Sequence, residues 1–274
     1  MKKEKIKGSH FAVYVVTVLL MMIFIIPLAY VVLTSLKTPQ EFTINPTALN
    51  FTPTFQSFIT AWEKINLDKY LFNSVFYTLT ATLISVAVSV LVAFPMARGY
   101  VKHAGFLSFF FLLGLFLPDG KIPLFQIFMN LGIYGTRFSY ILTLLTIGGM
   151  PIMMLTSYFK GIPKDLDEAA IIDGCGYFRY FSTVAVPLAK PCIVSVAMLI
   201  AIPAWNDISR ATVFLVKDEL YPVAQGLNAL SGMYTVSYTE LAAAMFITSI
   251  PLILVYVCMQ RYIVDGLTAG SVKM

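Results

Sequence analysis

The chain has 274 residues, of which 58% are hydrophobic and 12% charged, and its mean hydropathy is +0.81. Soluble domains carry about 25% charged residues, so this composition excludes an ordinary soluble protein and predicts an integral membrane protein. The net charge of +5 does not indicate a nucleic-acid-binding protein, because the positive residues are not clustered on a soluble face.

Six apolar runs are each long enough to cross a bilayer, for which a helix needs about 20 residues. The runs do not alternate as the strands of a β-barrel do, and irregular backbone cannot face lipid, so we predict an all-α membrane protein. We expect one transmembrane domain over residues 1–274. Its membrane helices are predicted at residues 11–35, 71–97, 105–129, 138–160, 191–215 and 240–264.

The placement of lysine and arginine predicts the orientation of these helices. With the N-terminus inside, twelve of these residues lie on the cytoplasmic side and seven on the outer side, as the positive-inside rule requires. We therefore predict that both termini are cytoplasmic (N-in/C-in) and that residues 37–70 form an external loop. The loop 161–190 and the tail 265–274 are then cytoplasmic.

Prolines divide the external loop and the third apolar run. Pro39, Pro46 and Pro53 argue against a helix in the first half of the external loop. Residues 54–66 are compatible with a short amphipathic helix at the membrane surface. In the third run, the cluster Pro118–Pro123 predicts a broken or kinked helix near the outer end.

The loop 161–190 is a short charged segment between two apolar runs, and its pattern predicts two short helices. Pro163 suits a first helical position, carboxylates follow in the first turn, and Gly174 is a natural helix stop. A second helix is predicted from Tyr177 to just before Pro187, and Pro191 then opens the fifth membrane helix. The carboxylates of the first turn are Asp165, Asp167 and Glu168.

Small and aromatic side chains in this loop suit a docking surface. Ala169, Ala170 and Gly174 would let a partner approach closely. The aromatic anchors, of the kind that dominate interfaces, are Phe178, Tyr180 and Phe181. On the residues alone, a surface loop held by lipid headgroups is an equally good interpretation.

The loop resembles the EAA loop of ABC importer permeases, in the carbohydrate-uptake (maltose-type) branch of that family. The motifs that carry the resemblance there are Glu168-Ala169-Ala170, Asp173-Gly174, Pro187-Leu188 and Pro191. Further matching segments cover nearly the whole chain: Lys37-Thr38-Pro39 with Glu41, Asn73-Ser74, Ile122-Pro123-Leu124, Leu131-Gly132, Trp205-Asn206-Asp207, and the tail from Gln260 to Lys273. The chain departs from the pattern at Cys175-Gly176 and at Ile208-Ser209-Arg210, and the second departure weakens any transfer of substrate contacts.

The resemblance implies a type I ABC importer permease fold in a bacterial plasma (inner) membrane, with a cytoplasmic coupling helix that is seated on an ATPase. It implies a homologous permease partner (a heterodimer), two ATPase subunits, an extracytoplasmic solute-binding protein and a sugar or oligosaccharide substrate. The residues that would couple to the ATPase are Asp167, Glu168, Ala169, Ala170, Asp173, Gly174, Phe178 and Pro187.

The end of the fifth apolar run holds the candidate substrate-pathway residues. In one interpretation Trp205, Asn206 and Asp207 line the pathway, and the two polar side chains offer hydrogen bonds to sugar hydroxyls. In the other, Asp207 and Arg210 are an interfacial pair at i, i+3 spacing, and Trp205 is an aromatic belt residue.

No enzyme is predicted. The chain lacks the G-x-x-x-x-G-K-[ST] phosphate loop, so ATP and Mg²⁺ would be bound by the partner subunits and no cofactor by this chain. The three cysteines have no metal-ligand spacing. Two other functions stay open, namely an ABC permease for a non-sugar solute and an ion-coupled secondary transporter, although the latter would require midplane ionisable residues and inverted repeats.

Overall fold

The computed structural model describes residues 3–117, 119–231 and 237–269, and throughout these ranges the regular structure is helical. The first part of the chain forms α1 (Lys3–Ser35), α2 (Pro39–Ile44), α3 (Gln56–Ile65), α4 (Leu67–Ala97), α5 (Ala104–Leu113), α6 (Lys121–Asn130), α7 (Arg137–Leu144) and α8 (Gly149–Gly161). The second part forms α9 (Asp165–Ile172), α10 (Tyr177–Tyr180), α11 (Val186–Leu188), α12 (Lys190–Trp205), α13 (Ser209–Phe214), α14 (Val223–Ser231) and α15 (Tyr238–Ala269).

Three of the described helices are long and apolar enough to cross a membrane by themselves: Val13–Ser35, Leu67–Ala97 and Tyr238–Tyr262. Two bent pairs also qualify when each pair is taken as one span. The α7–α8 pair bends by 52°, and the pair formed by Tyr177–Leu188 and α12 bends by 74°. The described residues therefore contain three to five candidate spans by length and composition.

The chain divides into two compact units, of which the first comprises Met1–Asp68 and Leu227–Ile250. Within it, the side chains of α1 from Val13 to Tyr30 are exposed. Phe58 of α3 makes an edge-to-face contact with Phe246 of α15, at 6.0 Å between ring centroids.

The helix α2 corrects the expectation that prolines exclude a helix from the first half of the external loop. Pro39 occupies the first turn, where its missing N–H costs nothing. Thr38 and Glu41 form a reciprocal capping box, and a Glu41 oxygen also accepts the amide of Thr52 at 3.1 Å. These hydrogen bonds hold the pKa of the Glu41 carboxyl below its usual value. The bond from the Thr38 amide has the largest effect, and the bond from the Thr52 amide has the next largest.

The second unit comprises Lys69–Gly226 and Pro251–Met274. Three of the predicted membrane helices lie within this unit and are interrupted in the structure. The predicted run 105–129 is divided between α5 and α6, with Pro118 of the expected break outside the described residues and Pro123 inside α6. The run 138–160 is divided between α7 and α8, and the run 191–215 between α12 and α13.

The α7–α8 break follows from two consecutive glycines, which the apolar pattern conceals. Gly148 has φ +115° and Gly149 has φ +56°, both in the region that disfavours L side chains. A Cβ on Gly148 would lie 3.1 Å from the Phe111 ring, and one on Gly149 would lie 2.8 Å from Leu115. The break therefore combines a left-handed turn with close packing against α5 and the segment after it.

Two clusters of buried side chains hold the second unit together. One contains Phe94, Phe159 and Tyr180, near the loop 161–190, and the other contains Tyr77, Tyr140 and other rings. In the second cluster, Tyr77 donates to the Leu220 carbonyl at 3.0 Å, which fixes the segment before α14 to α4.

Asn73 and Ser74, which carry part of the family resemblance, hold the same segment. The Asn73 amide donates to the carbonyls of Glu219 and Tyr221 at 2.8 and 3.1 Å. The Ser74 hydroxyl accepts the Val223 amide at 2.8 Å. These two polar residues therefore have a structural role at the start of α4.

Candidate functional site

The helix α9 in the loop 161–190 ends in a complete Schellman motif. Gly174 has φ +69°, and its amide donates to the Ile171 carbonyl at 3.0 Å. The Cys175 amide donates to the Ala170 carbonyl at 2.8 Å, and both side chains pack against the first cluster. Two otherwise orphaned carbonyls are thus satisfied, and Gly174 acts as the predicted stop.

The second helix of the loop differs from the prediction, because it does not end before Pro187. Helical backbone continues from Tyr177 through a π-helical turn at Phe181–Ala185 into α11, which contains Pro187. A proline has no N–H and its ring clashes with the carbonyl four residues earlier. A π turn just before the proline accommodates both defects, and the sharp bend follows at Ala189, before α12.

The first helix of the loop also begins later than predicted. Asp165 is the first residue of α9. The cap residue is therefore Lys164, rather than a residue before Pro163. The Lys164 carbonyl accepts the amides of Asp167 and Glu168 at 2.8 and 3.1 Å. Three carboxylates still lie in the first turn, where the helix dipole favours them.

Arg98, just after the end of α4, anchors this loop. Its side chain is only 3% exposed, and its Nη2 lies 3.1 Å from an oxygen of Asp167, which is 18% exposed. Its Nη1 donates to the Ile162 carbonyl at 3.0 Å, and its Nη2 also donates to the Tyr180 hydroxyl at 3.4 Å. One guanidinium therefore contacts the segment before α9, α9 itself and α10.

The exposed face of the loop carries large apolar side chains among charged ones. Ile172 is 84% exposed and Phe178 is 79% exposed, and they flank the turn that Gly174 forms. Of the other predicted coupling residues, Glu168, Ala169, Asp173 and Pro187 are exposed, whereas Asp167 and Ala170 are half-buried. The structure thus brings most of the predicted set onto one accessible loop and turns Asp167 inward to Arg98.

A separate cavity of about 750 Å³ lies where predicted membrane helices are interrupted. Its walls are the end of α5 with the segment after it, the α7–α8 break with the start of α8, and parts of α12 and α13. Among its described lining residues, Thr146 and Arg210 carry the polar side chains. Arg210 Nε lies 3.8 Å from Asp119, which also pairs with Lys121 at 3.3 Å.

The three candidate pathway residues have separate environments, and none of them is among the described lining residues of this cavity. Trp205 is buried and borders an apolar groove beside α4 and α15. Asn206 is exposed and donates to the Ile202 carbonyl at 3.0 Å. Asp207 accepts the Tyr140 hydroxyl and the Ala211 amide, each at 3.2 Å, so it helps to fix the start of α13.

Sequence reasoning missed Arg98 and the cavity. A single arginine at the end of an apolar run resembles an ordinary flanking charge, and only its burial reveals its role. Gly148-Gly149 was the available signal for the cavity, because paired glycines inside an apolar run indicate a break. Among the described residues, no group of three or more His, Cys, Asp or Glu side chains is placed to hold a metal ion.

Comparison with known proteins places this architecture in a family. A family model described as "Binding-protein-dependent transport system inner membrane component" matches residues 10–268. The chain belongs to this family. Members of this family are permease components of transport systems, which is consistent with the prediction that this chain is not an enzyme.

Individual permeases of this kind cover most of the chain. The sulfoquinovosyl glycerol transport system permease protein SmoH of Agrobacterium fabrum is 32% identical over 90% of this chain and 88% of its own length. The diacetylchitobiose uptake system permease protein NgcG of Streptomyces coelicolor is 30% identical over 92% of this chain and 85% of its own length. A chain of a bacterial ABC transporter involved in the import of the acidic polysaccharide alginate has the same fold, with a TM-score of 0.80, 22% identity, and coverage of 96% of this chain and 98% of its own.

The Schellman motif can be tested by Gly174→Ala. A Cβ there meets no atom within 4 Å, so the cost is backbone strain alone, about 1 kcal/mol. We expect roughly fivefold faster amide hydrogen exchange in the peptide that follows α9. Gly174→Asn should be milder, since asparagine tolerates the left-handed region, and Gly176→Ala is the control because Gly176 has φ −70°. Equal exchange in the two alanine variants would contradict this role.

The anchor can be tested by Arg98→Met. Removing one partner of a buried ion pair leaves Asp167 uncompensated, and we expect a loss of about 3 kcal/mol in the free energy of unfolding, measured by thermal denaturation in detergent. Arg98→Met combined with Asp167→Leu should recover part of the loss. Lys102→Met, an exposed basic residue in the next loop, is the control. A stability loss no greater than that of the control would refute the anchoring role.

Proposed function

We propose that this permease is a membrane subunit of an ATP-driven importer for a sugar or oligosaccharide. The support for the substrate class is that relatives over most of the chain are named for diacetylchitobiose, sulfoquinovosyl glycerol and, in Thermococcus litoralis, trehalose/maltose. Its partners in this proposal are a homologous permease, two ATPase subunits that bind ATP and Mg²⁺, and an extracytoplasmic solute-binding protein. The complex would lie in a bacterial plasma membrane.

The proposal includes six membrane spans with both termini in the cytoplasm. The three long helices and the two bent pairs account for five spans. The sixth would be α5 with α6, in which the apolar Ala104–Leu113 is too short to cross alone. A broken span of this kind is tolerated in a bilayer when its irregular backbone is buried or lines a water-filled cavity, and the 750 Å³ cavity lies at this break.

The loop 161–190 is the proposed coupling element, and the accessible face that displays its large apolar side chains is the observation that carries the proposal. Ile172 and Phe178 are large and almost fully exposed on a loop held from behind by Arg98. An ATPase that binds this face would move the loop as a unit with the end of α4. The drive would come from a difference in ATPase affinity between the inward-open and outward-open states.

The proposed substrate pathway includes the cavity and the α12–α13 break, with Trp205, Asn206 and Asp207 at that break. Arg210 and Thr146 offer polar groups within otherwise apolar walls. Asn206 is the exposed polar side chain at the break, and Asp207 holds the backbone of the break through Tyr140 and α13. In this arrangement the Asn206 side chain contacts the solute, and Asp207 holds Asn206 in position.

The coupling role is tested by purifying the tagged chain from detergent and measuring how much ATPase and second permease are recovered. Phe178→Ala and Ile172→Ala should each weaken ATPase binding by about 2 kcal/mol, roughly thirtyfold, because exposed anchors of this size dominate interfaces. Ile122→Ala removes an equally exposed apolar side chain from α6 and is the control. Unchanged ATPase recovery from both loop variants, or a wild-type chain that purifies alone, would refute the proposal.

The pathway role is tested by sugar uptake in reconstituted vesicles. Asn206→Ala should lower the uptake rate about fivefold through the loss of about one hydrogen bond to the solute, without a change in thermal stability. Asp207→Ala should lower both uptake and stability, because its carboxylate caps α13. Asn130→Ala, the same change at the exposed end of α6, should leave uptake unchanged. Normal uptake by Asn206→Ala would exclude that residue from the pathway.

A further inference from the structure

An apolar groove of about 240 Å³ runs along the surface of the second unit between α4, α12 and the second half of α15. Its exposed walls include Leu79 of α4, Ile202 of α12 and Val255 of α15. Ala201 lies on its α12 wall, and Met259 is its lining residue closest to the end of α15. Its shape and surface suit a hydrocarbon chain.

About one helical turn beyond Met259, two cations lie against the ring of Tyr262. The Lys190 ammonium lies 5.2 Å from the centroid of the Tyr262 ring, and the Arg261 guanidinium lies 4.6 Å from it. Arg261 also donates to the Tyr262 hydroxyl at 2.6 Å. Ser195 donates to the Tyr262 carbonyl at 3.4 Å, which ties α12 to α15 at this level.

The cations of this cluster have no anionic partner among the described side chains. Neither Lys190 nor Arg261 forms an ion pair there, whereas Arg98, Lys121 and Arg210 all do. Both side chains are exposed. Two positive charges held against one ring repel each other, and an anion bound near both would offset this repulsion.

We propose that this groove and the Lys190–Arg261 pair form a binding site for an anionic phospholipid. The acyl chain lies along Ile202 and Val255, and the phosphate is held by the two cations. Lys190 directly follows the loop 161–190, so the site belongs to the cytoplasmic leaflet, where anionic lipids attract basic residues. This assignment of the leaflet rests on the proposed orientation, whereas the site itself does not.

The complete transporter, purified and reconstituted in nanodiscs with equimolar phosphatidylglycerol and phosphatidylethanolamine, provides the test. Lipids that remain bound after transfer to detergent are counted by mass spectrometry. We expect about tenfold preferential retention of phosphatidylglycerol by the wild type. Lys190→Gln with Arg261→Gln should abolish the preference, and Ala201→Phe, which fills the groove, should lower retention of both lipids.

The control is Lys102→Gln with Lys160→Gln, which removes two exposed basic residues outside the groove. It should keep the wild-type preference. Equal retention of the two lipids by the wild type, or an undiminished preference in the Lys190/Arg261 variant, would overturn the proposal. Retention of neither lipid would mean that a partner subunit covers the groove, and the proposal would be wrong. Recovery of the ATPase in the same preparation reports separately on the proposed function.

Discussion

The buried guanidinium of Arg98 is the contact on which the arrangement of the loop 161–190 depends. It lies at the end of α4, one of the long apolar helices, and reaches three parts of the loop at once. A charge buried to this degree is costly unless it is paired. The same contacts that satisfy it therefore hold α9 at a set position relative to α4, and the exposed side chains Ile172 and Phe178 are displayed on a rigid support.

The cavity and the loop differ in how they use irregular backbone. The loop is built from short helices with satisfied ends, of which the Schellman motif at Gly174 is the clearest. The cavity is built from interruptions of membrane helices, at Gly148-Gly149 and between α12 and α13. In the proposed function, rigid attachment suits a loop that transmits force from an ATPase, and broken helices suit a region that changes shape during transport.

Much of the loop could be predicted from the sequence, because its signals are local. A glycine after a run of alanine and isoleucine specifies a helix stop at Gly174 with little help from tertiary structure. The helix α2 also has local signals, Thr38 and Glu41 around Pro39, but the prolines outweighed them in the sequence interpretation. The break at Gly148 has a local signal, the paired glycines, to which hydropathy is insensitive. The break at Asn206 and the burial of Arg98 depend on packing between distant helices.

The π-helical turn at Phe181–Ala185 has a consequence for how related chains can vary. Such a turn holds one residue more than an α-helical turn, so it behaves as a one-residue insertion absorbed within a continuous helix. Deletion of one residue here would restore regular α-helical winding and leave the helical segments on either side nearly in phase, because the π turn absorbs the extra residue locally. Lineages could therefore differ by one residue in length at this turn while the loop keeps the same face toward its surroundings.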